Sequence, residues 1–300
     1  IINEMFDEQD STVLAPLAVL FTKIWRQVYD HVKVGQQFLP EIQHAAASGQ
    51  NNGKPIVYIP THRSYVDFLL ISYVCFMVDL PLPHIVAGED FLGIFAVRWL
   101  FRKAGAFFMK RSFSGDELYS TILQKNIDTL LGAGQAIEFF IEGTRSRSGK
   151  MLQPKMGLLG KILSAINRGI VQDVTFVPIS INYEKTMESF LYANELNGES
   201  KIKESLSSLL QARSALAQNF GTTTVVFGQP FSFLSWREQF INDMTANSLY
   251  NRAPIGGISP VLSLPQPPVS GNNNTAMVVV LQHLQRQYIN FLRGFSHNDV

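Results

Sequence analysis

The chain has 300 residues, of which 46% are hydrophobic and only 16% are charged, so it can bury a sizeable core and is not a disordered chain. The net charge of +1 excludes a generally basic nucleic-acid binder, and any anion site must come from local clustering of cations. The single cysteine, Cys75, leaves no internal disulfide and no zinc-type ligand set, so no metal is expected and the thiol is interpreted as buried and inert.

The first fifty residues are predicted to form an N-terminal helical segment. Apolar residues recur at helical spacing from Leu17 to Val32, after a start that contains a proline. This stripe either packs against the main domain or, with Trp25 and two nearby cations, lies on a membrane surface. The longest uninterrupted apolar run, residues 68–78, is too short to span a bilayer, so any membrane association is expected to be peripheral.

From residue 55 the chain alternates short apolar runs with helical segments. The predicted strands cover residues 56–59, 84–87, 106–109, 136–141, 175–181 and 223–227. The predicted helices cover residues 65–78, 93–103, 117–131, 157–167 and 202–220. This alternation predicts an α/β domain, residues 51–238, with a largely parallel central sheet flanked by helices. A linker rich in proline and glycine is expected at 239–275, followed by a C-terminal helix at 276–300.

A histidine and an aspartate lie close together directly after the first strand of this domain. In parallel sheets the active groups gather at the carboxyl ends of strands, and His62 occupies such a position. Asp67 follows in the same short segment, near enough to accept a hydrogen bond from one imidazole nitrogen and to leave the other as a base. The spacing alone is a weak signal, because many proteins contain it by chance.

Two cationic segments also follow predicted strands. Arg111 comes after the strand at 106–109, where a solvated strand end is the competing interpretation. Residues 142–150 combine glycines, hydroxyl residues, two arginines and a lysine, which suits an anion site but departs from the spacing of a nucleotide phosphate loop. The competing interpretation is a solvated arginine loop in which Glu142 is only an ion-pair partner. Pro178, inside the strand at 175–181, indicates an edge strand, a bulge or a pocket wall.

Four blocks in this order, residues 61–67, 105–111, 142–148 and 177–180, resemble the motifs of the glycerolipid acyltransferases. The similarity extends over residues 55–229 and is closest to the branch that acylates dihydroxyacetone phosphate, with the glycerol-3-phosphate branch next. The resemblance implies transfer of a fatty acyl group from acyl-CoA, a co-substrate and not a cofactor, to the 1-hydroxyl of one of these two acceptors. That reaction is the first step of glycerolipid or ether-lipid synthesis.

The resemblance also implies roles for individual residues. His62 is the general base, Asp67 holds its tautomer, and Glu142 orients the acceptor or an arginine. The acceptor's phosphate is expected to bind a set of cationic, hydroxyl and glycine positions, namely Arg111, Arg145, Arg147, Ser148, Lys155 and Gly143.

Two other functions are compatible with the sequence. One is a catalytically silent scaffold subunit that binds acyl-CoA or lipid, although the presence of the whole residue set favours an enzyme. The other, within the same family, is a lysophospholipid acyltransferase. The acyl chain and the lipid product imply peripheral contact with a membrane surface. The peroxisomal membrane is expected, with the mitochondrial outer membrane or the endoplasmic reticulum as alternatives.

Overall fold

The computed structural model describes residues 11–52, 54–88, 99, 101–110, 115–146, 150, 152–189, 218–239 and 242. The chain divides into two compact units, Ile1–Pro230 and Phe231–Val300. In the second unit the described residues form strand β8 (Phe231–Ser232) and a helical stretch over 233–239. The predicted linker at 239–275 and the C-terminal helix at 276–300 lie almost entirely outside the described residues.

The first unit is built from strands that alternate with helices. Its helices are α1 (Ser11–Val28), α2 (Leu39–Asn52), α3 (Asp67–Met77), α4 (Glu117–Gly132) and α5 (Gly157–Asn167). Its strands are β1 (His31–Gly35), β2 (Ile56–Pro60), β3 (His84–Gly88), β4 (Ala106–Met109), β5 (Ile137–Glu138), β6 (Thr175–Tyr183) and β7 (Thr222–Phe227).

These seven strands form one sheet in the order β1-β7-β6-β2-β5-β3-β4. Every neighbouring pair is parallel except β6 and β7, which are antiparallel. The prediction of a largely parallel sheet flanked by helices is therefore confirmed. Strand β2 lies in the middle, and the chain leaves it for β3 on one side, while β6 lies on the other. The crevice at its carboxyl end is thus the place where open α/β sheets bind their ligands.

Both faces of the central strand are covered. All five residues of β2 are buried, as expected for a strand in the middle of a parallel sheet. Ile56 and Tyr58 join a core cluster with residues of α1, α2 and α3. Val57 and Ile59, which alternate with them, are buried as well and face the opposite side.

The structure corrects the N-terminal prediction. Helix α1 ends at Val28, and Val32 lies in β1, an edge strand parallel to β7. The alternation of Val32 and Val34 has the period of a strand, which the longer helical stripe concealed. Helix α2, which extends from Leu39 to Asn52, was not predicted as a separate element. The first fifty residues therefore contribute a strand to the main sheet and are not a purely helical segment.

Two strands differ from their predictions. Strand β5 has only two residues, because it pairs with β2 and β3 over Ile137 and Glu138 alone before the chain turns away. Strand β6, which contains Pro178, is not an edge strand, because it lies between β2 and β7. The proline is tolerated because the ladder with β7 begins one residue later, at Ile179. Its carbonyl accepts from Gly228 N, 2.8 Å away, just beyond that ladder.

The other elements are close to their predictions. Strand β4 and helix α5 have the predicted bounds, and α3 begins two residues later than predicted. The predicted helices at 93–103 and 202–220 lie largely outside the described residues, although 101–103 are helical and 218–220 are not.

Candidate active site

The candidate catalytic loop, residues 61–66, connects β2 to α3. Its first residue, Thr61, is tied to the neighbouring strand β6 at two points. The backbone N–H donates to Ile179 O at 2.9 Å, and the hydroxyl accepts from Ile181 N at 2.9 Å. These bonds fix the start of the loop at the carboxyl end of β2, so that the next residue, His62, emerges into the crevice.

His62 and Asp67 form a hydrogen-bonded pair. Asp67 is fully buried at the first turn of α3, and its Oδ2 lies 2.9 Å from His62 Nδ1. The same oxygen accepts the backbone N–H groups of Arg63 at 2.6 Å and Ser64 at 2.9 Å. An ionised Asp67 selects the tautomer with a proton on Nδ1, which leaves the Nε2 lone pair to accept a proton. The His62 side chain is 18% exposed, so this nitrogen belongs to a sheltered but accessible imidazole.

The segment after β5 packs against the histidine from the other side. The Phe140 ring stacks on the imidazole with 3.9 Å between the ring centroids and an angle of 22° between the planes. Ser146 N donates to the carbonyl of His62 at 2.8 Å. The ring of His62 is therefore held by Phe140, just before the third sequence block (142–148), and its backbone by Ser146 within that block.

Glu142 holds two backbone segments together. Its Oε1 accepts from His62 N at 3.0 Å, and its Oε2 accepts from Leu152 N at 2.9 Å. Only 1% of the residue is exposed, and this burial raises the pKa of the carboxyl group, against the opposing effect of the two backbone donors. The sequence predicted that Glu142 orients the acceptor or an arginine. That role stays a prediction, and the structure adds that Glu142 anchors the backbone of the candidate base.

Arg145 is buried beside the catalytic loop. Its guanidinium carbon lies 3.4 Å from the centroid of the Tyr65 ring, and its Nη1 lies 3.8 Å from Glu188 Oε1. Glu188 in turn accepts from Ser64 Oγ at 2.9 Å and from Tyr65 N at 2.7 Å. Burial raises the pKa of Glu188, while Tyr65 N–H and the charge of Arg145 oppose this effect. Arg145 and the catalytic loop are thus joined through one buried carboxylate.

Gly143 and Lys155 come together next to Glu142. Gly143 has a φ of 63°, and a Cβ at this position would lie only 2.7 Å from Lys155 Cδ. Lys155 N donates to Ile141 O at 2.7 Å, and the side chain is exposed. The structure therefore places an accessible ammonium group beside the loop that carries Glu142.

The structure brings together most, but not all, of the predicted site. His62, Asp67, Glu142, Gly143 and Arg145 share a network of contacts, and Lys155 packs on its edge. The remaining predicted residues, Arg111, Arg147 and Ser148, lie outside the described residues.

Sequence reasoning missed two residues of the site, Tyr183 and Glu188. Tyr183 Oη donates to Asp67 Oδ1 at 2.6 Å. The rule that selected His62 also applies to Tyr183, because it ends β6, whose carboxyl end adjoins that of β2. For Glu188 we find no comparable signal in the sequence, since it follows β6 by several residues in a polar segment.

Residues 32–182 match the family model described as Acyltransferase, and residues 192–264 match the Glycerol-3-phosphate acyltransferase C-terminal region. The chain is 42% identical to a dihydroxyacetone phosphate acyltransferase of Mus musculus over 248 residues, 82% of this chain and 36% of the relative. It is 38% identical to a glycerol-3-phosphate acyltransferase of Pseudomonas fluorescens over 237 residues, 79% of this chain and 28% of the relative.

The chain thus spans about a third of the length of the curated relatives that it matches. Among solved structures, it matches the 1-acyl-sn-glycerophosphate acyltransferase PlsC of Thermotoga maritima with a TM-score of 0.44 and 13% identity, over 92% of this chain and 78% of that chain.

Proposed function

The chain belongs to the family of dihydroxyacetone phosphate and glycerol-3-phosphate acyltransferases, and from this premise we propose that it transfers a fatty acyl group from acyl-CoA to the 1-hydroxyl of a three-carbon phosphate. The observation that carries the proposal is the His62–Asp67 pair, held at the carboxyl end of β2 with Nε2 available as a base. Acyl transfer to an alcohol needs such a base, because a neutral hydroxyl is a poor nucleophile.

In the proposed reaction His62 Nε2 takes the proton of the acceptor hydroxyl as its oxygen attacks the thioester carbonyl carbon. The tetrahedral intermediate then collapses, the C–S bond breaks, and the imidazolium returns the proton to the leaving CoA sulfur. Asp67, hydrogen-bonded to Nδ1, stabilises the imidazolium between the two steps. A positioned base of this kind contributes about 10²- to 10⁴-fold to the rate.

The phosphate of the acceptor is proposed to bind cations around residues 143–155. Lys155 is exposed at the edge of the site and is available for such a contact. Arg145 also remains a proposed ligand, although its guanidinium group already contacts the Tyr65 ring and Glu188. Arg111, Arg147 and Ser148 complete the proposed set on the sequence resemblance alone.

Two variants separate the base from the phosphate site. We expect His62→Asn to lower kcat by at least about 100-fold, because it removes the proton acceptor. Lys155→Ala is expected to raise the KM for the acceptor about 10-fold with little change in kcat, as for a contact made equally before and during reaction. The matched control is His31→Asn, an exposed histidine on β1. Turnover of His62→Asn at the wild-type rate would refute the base assignment.

Either dihydroxyacetone phosphate or glycerol-3-phosphate is a chemically reasonable acceptor. They differ only in a ketone or an alcohol at the central carbon, and relatives of both names match the chain. We favour dihydroxyacetone phosphate, and with it a peroxisomal location. An assay that offers both acceptors with one acyl-CoA decides between them; turnover with neither would contradict the proposed function.

We also propose that the protein binds a membrane surface through α1. The helix exposes Val19 and Leu20, by 60% and 48%, followed by the exposed cations Lys23 and Arg26. Within the described residues, no helix has the length and apolarity needed to cross a bilayer.

Flotation with liposomes that contain anionic lipid tests this surface. We expect Val19→Asp combined with Leu20→Asp to weaken flotation. Ile170→Asp, which changes an exposed apolar residue after α5, is the control and should float like the wild type. Unchanged flotation of the double variant would exclude α1 as the contact.

A further inference from the structure

The two oxygens of Asp67 have different partners. Oδ2 accepts three hydrogen bonds, all from the catalytic loop: His62 Nδ1, Arg63 N and Ser64 N. Among the described residues, Oδ1 accepts from Tyr183 alone, at 2.6 Å. Asp67 is completely buried, so water cannot replace this donor without entering the core. One of the four hydrogen bonds that orient the carboxylate therefore comes from a hydroxyl on strand β6.

Tyr183 is well placed to act only as a donor. Burial, and then the nearby charge of Asp67, raise the pKa of its phenol well above the ordinary value, so that it stays protonated over the working range of an enzyme. Its ring packs beside that of Tyr29, with 6.1 Å between the ring centroids. A charge-assisted bond of 2.6 Å at a buried carboxylate is at the short, strong end of the distribution.

We propose that Tyr183 is a positioning residue for the reaction: its hydroxyl locks the Asp67 carboxylate in the orientation that holds His62 as a base. This inference rests on the proposed function, because it requires His62 to take a proton during turnover. The Tyr183 hydroxyl donates to Asp67 and not to the base itself. It acts on the reaction through Asp67.

The alternative is that the hydroxyl only stabilises the fold, and the pH dependence of turnover distinguishes the two. Without Tyr183 Oη, the Asp67 carboxylate loses a donor that stabilises its ionised form. Its negative charge is also less neutralised, so it attracts a proton on the imidazole more strongly. Both effects favour added protons at the pair, so the acid limb of kcat/KM moves to higher pH. Other titratable groups interact with Asp67 and stay in place in the variant, namely His62, Tyr29, Glu138 and Glu188.

The test is Tyr183→Phe in the whole protein, with Tyr29→Phe as the matched control. Tyr29 is also buried, and its hydroxyl has no hydrogen-bond partner among the described residues. For Tyr183→Phe we expect kcat/KM to fall about 10- to 100-fold, through kcat, and the acid limb to rise by roughly one pH unit. Tyr29→Phe should keep the wild-type limb.

The outcomes separate this inference from the function on which it rests. A wild-type acid limb in Tyr183→Phe, while His62→Asn is inactive, overturns the role of Tyr183 and leaves the proposed function standing. Activity of His62→Asn overturns both. Unfolding at low pH also removes activity, so the folded fraction of Tyr183→Phe is measured by circular dichroism over the same pH range and the rate is divided by it. The acid limb of the corrected profile then decides even if the variant is less stable.

Discussion

Replacing Glu142 by glutamine leaves the shape of the side chain nearly unchanged but removes one of its two acceptors. In the wild-type protein, Oε1 accepts the backbone N–H of His62 and Oε2 accepts that of Leu152. A glutamine presents one carbonyl and one NH₂ group, so one of these amides must face another donor in either orientation. Hydrogen bonds to charged groups contribute about 1.5–3 kcal/mol. Because the buried carboxylate is itself costly, as its raised pKa indicates, we expect a loss of about 2 kcal/mol.

Thermal unfolding at neutral pH measures this loss. For a domain of this size about 2 kcal/mol corresponds to roughly 4–8 °C in Tm. We expect turnover to fall about 10- to 100-fold as well, since the backbone of the candidate base is no longer held. Glu41→Gln, at an exposed position in the first turn of α2, is the control. A Glu142→Gln protein with wild-type Tm and turnover would show that the bridge between the two segments is not needed.

Two further substitutions test the buried carboxyl of β5 and the glycine beside Lys155. Burial raises the pKa of Glu138 well above the ordinary value, so folding loses stability as the pH rises past the range where unfolded glutamates ionise. The glutamine in Glu138→Gln does not ionise. We therefore expect the Tm of this variant to exceed that of the wild type near about pH 8 but not near about pH 4. An equal change in Tm at both pH values would contradict this. Gly143→Ala places an alanine at a positive φ, which costs about 1–2 kcal/mol, and its Cβ clashes with the Lys155 side chain. In steady-state kinetics we expect Gly143→Ala to raise the KM for the acceptor. The control is Gly134→Ala, which has the same backbone strain but no neighbouring atom within 4 Å of the new Cβ, and its KM should stay at the wild-type value. Equal KM values in the two variants would remove Lys155 from the proposed phosphate site.

The parts of the fold that were predicted well are those with a strong local pattern. Strand β4 and helix α5 have continuous apolar or helical periodicity, and their predicted bounds match the structure. Strand β1 was missed because five half-exposed residues carry a weak pattern directly after a long helical stripe. Strand β5 was predicted too long, since the apolar run continues after pairing stops and Phe140 stacks on His62 instead.

His62 and Asp67 are five residues apart, so the sequence alone determined that they could pair and that the pair would follow a strand. The order of the four sequence blocks likewise indicated the family, which the comparisons confirm. Tyr183 is 116 residues from its partner Asp67, and Glu188 is 124 residues from its partner Ser64, so no local pattern could link either residue to the site. Only the parallel pairing of β2 with β6 brings these side chains to the same edge of the sheet. The sequence thus determined which groups are candidates for the chemistry, and the tertiary structure decided what holds each group in place.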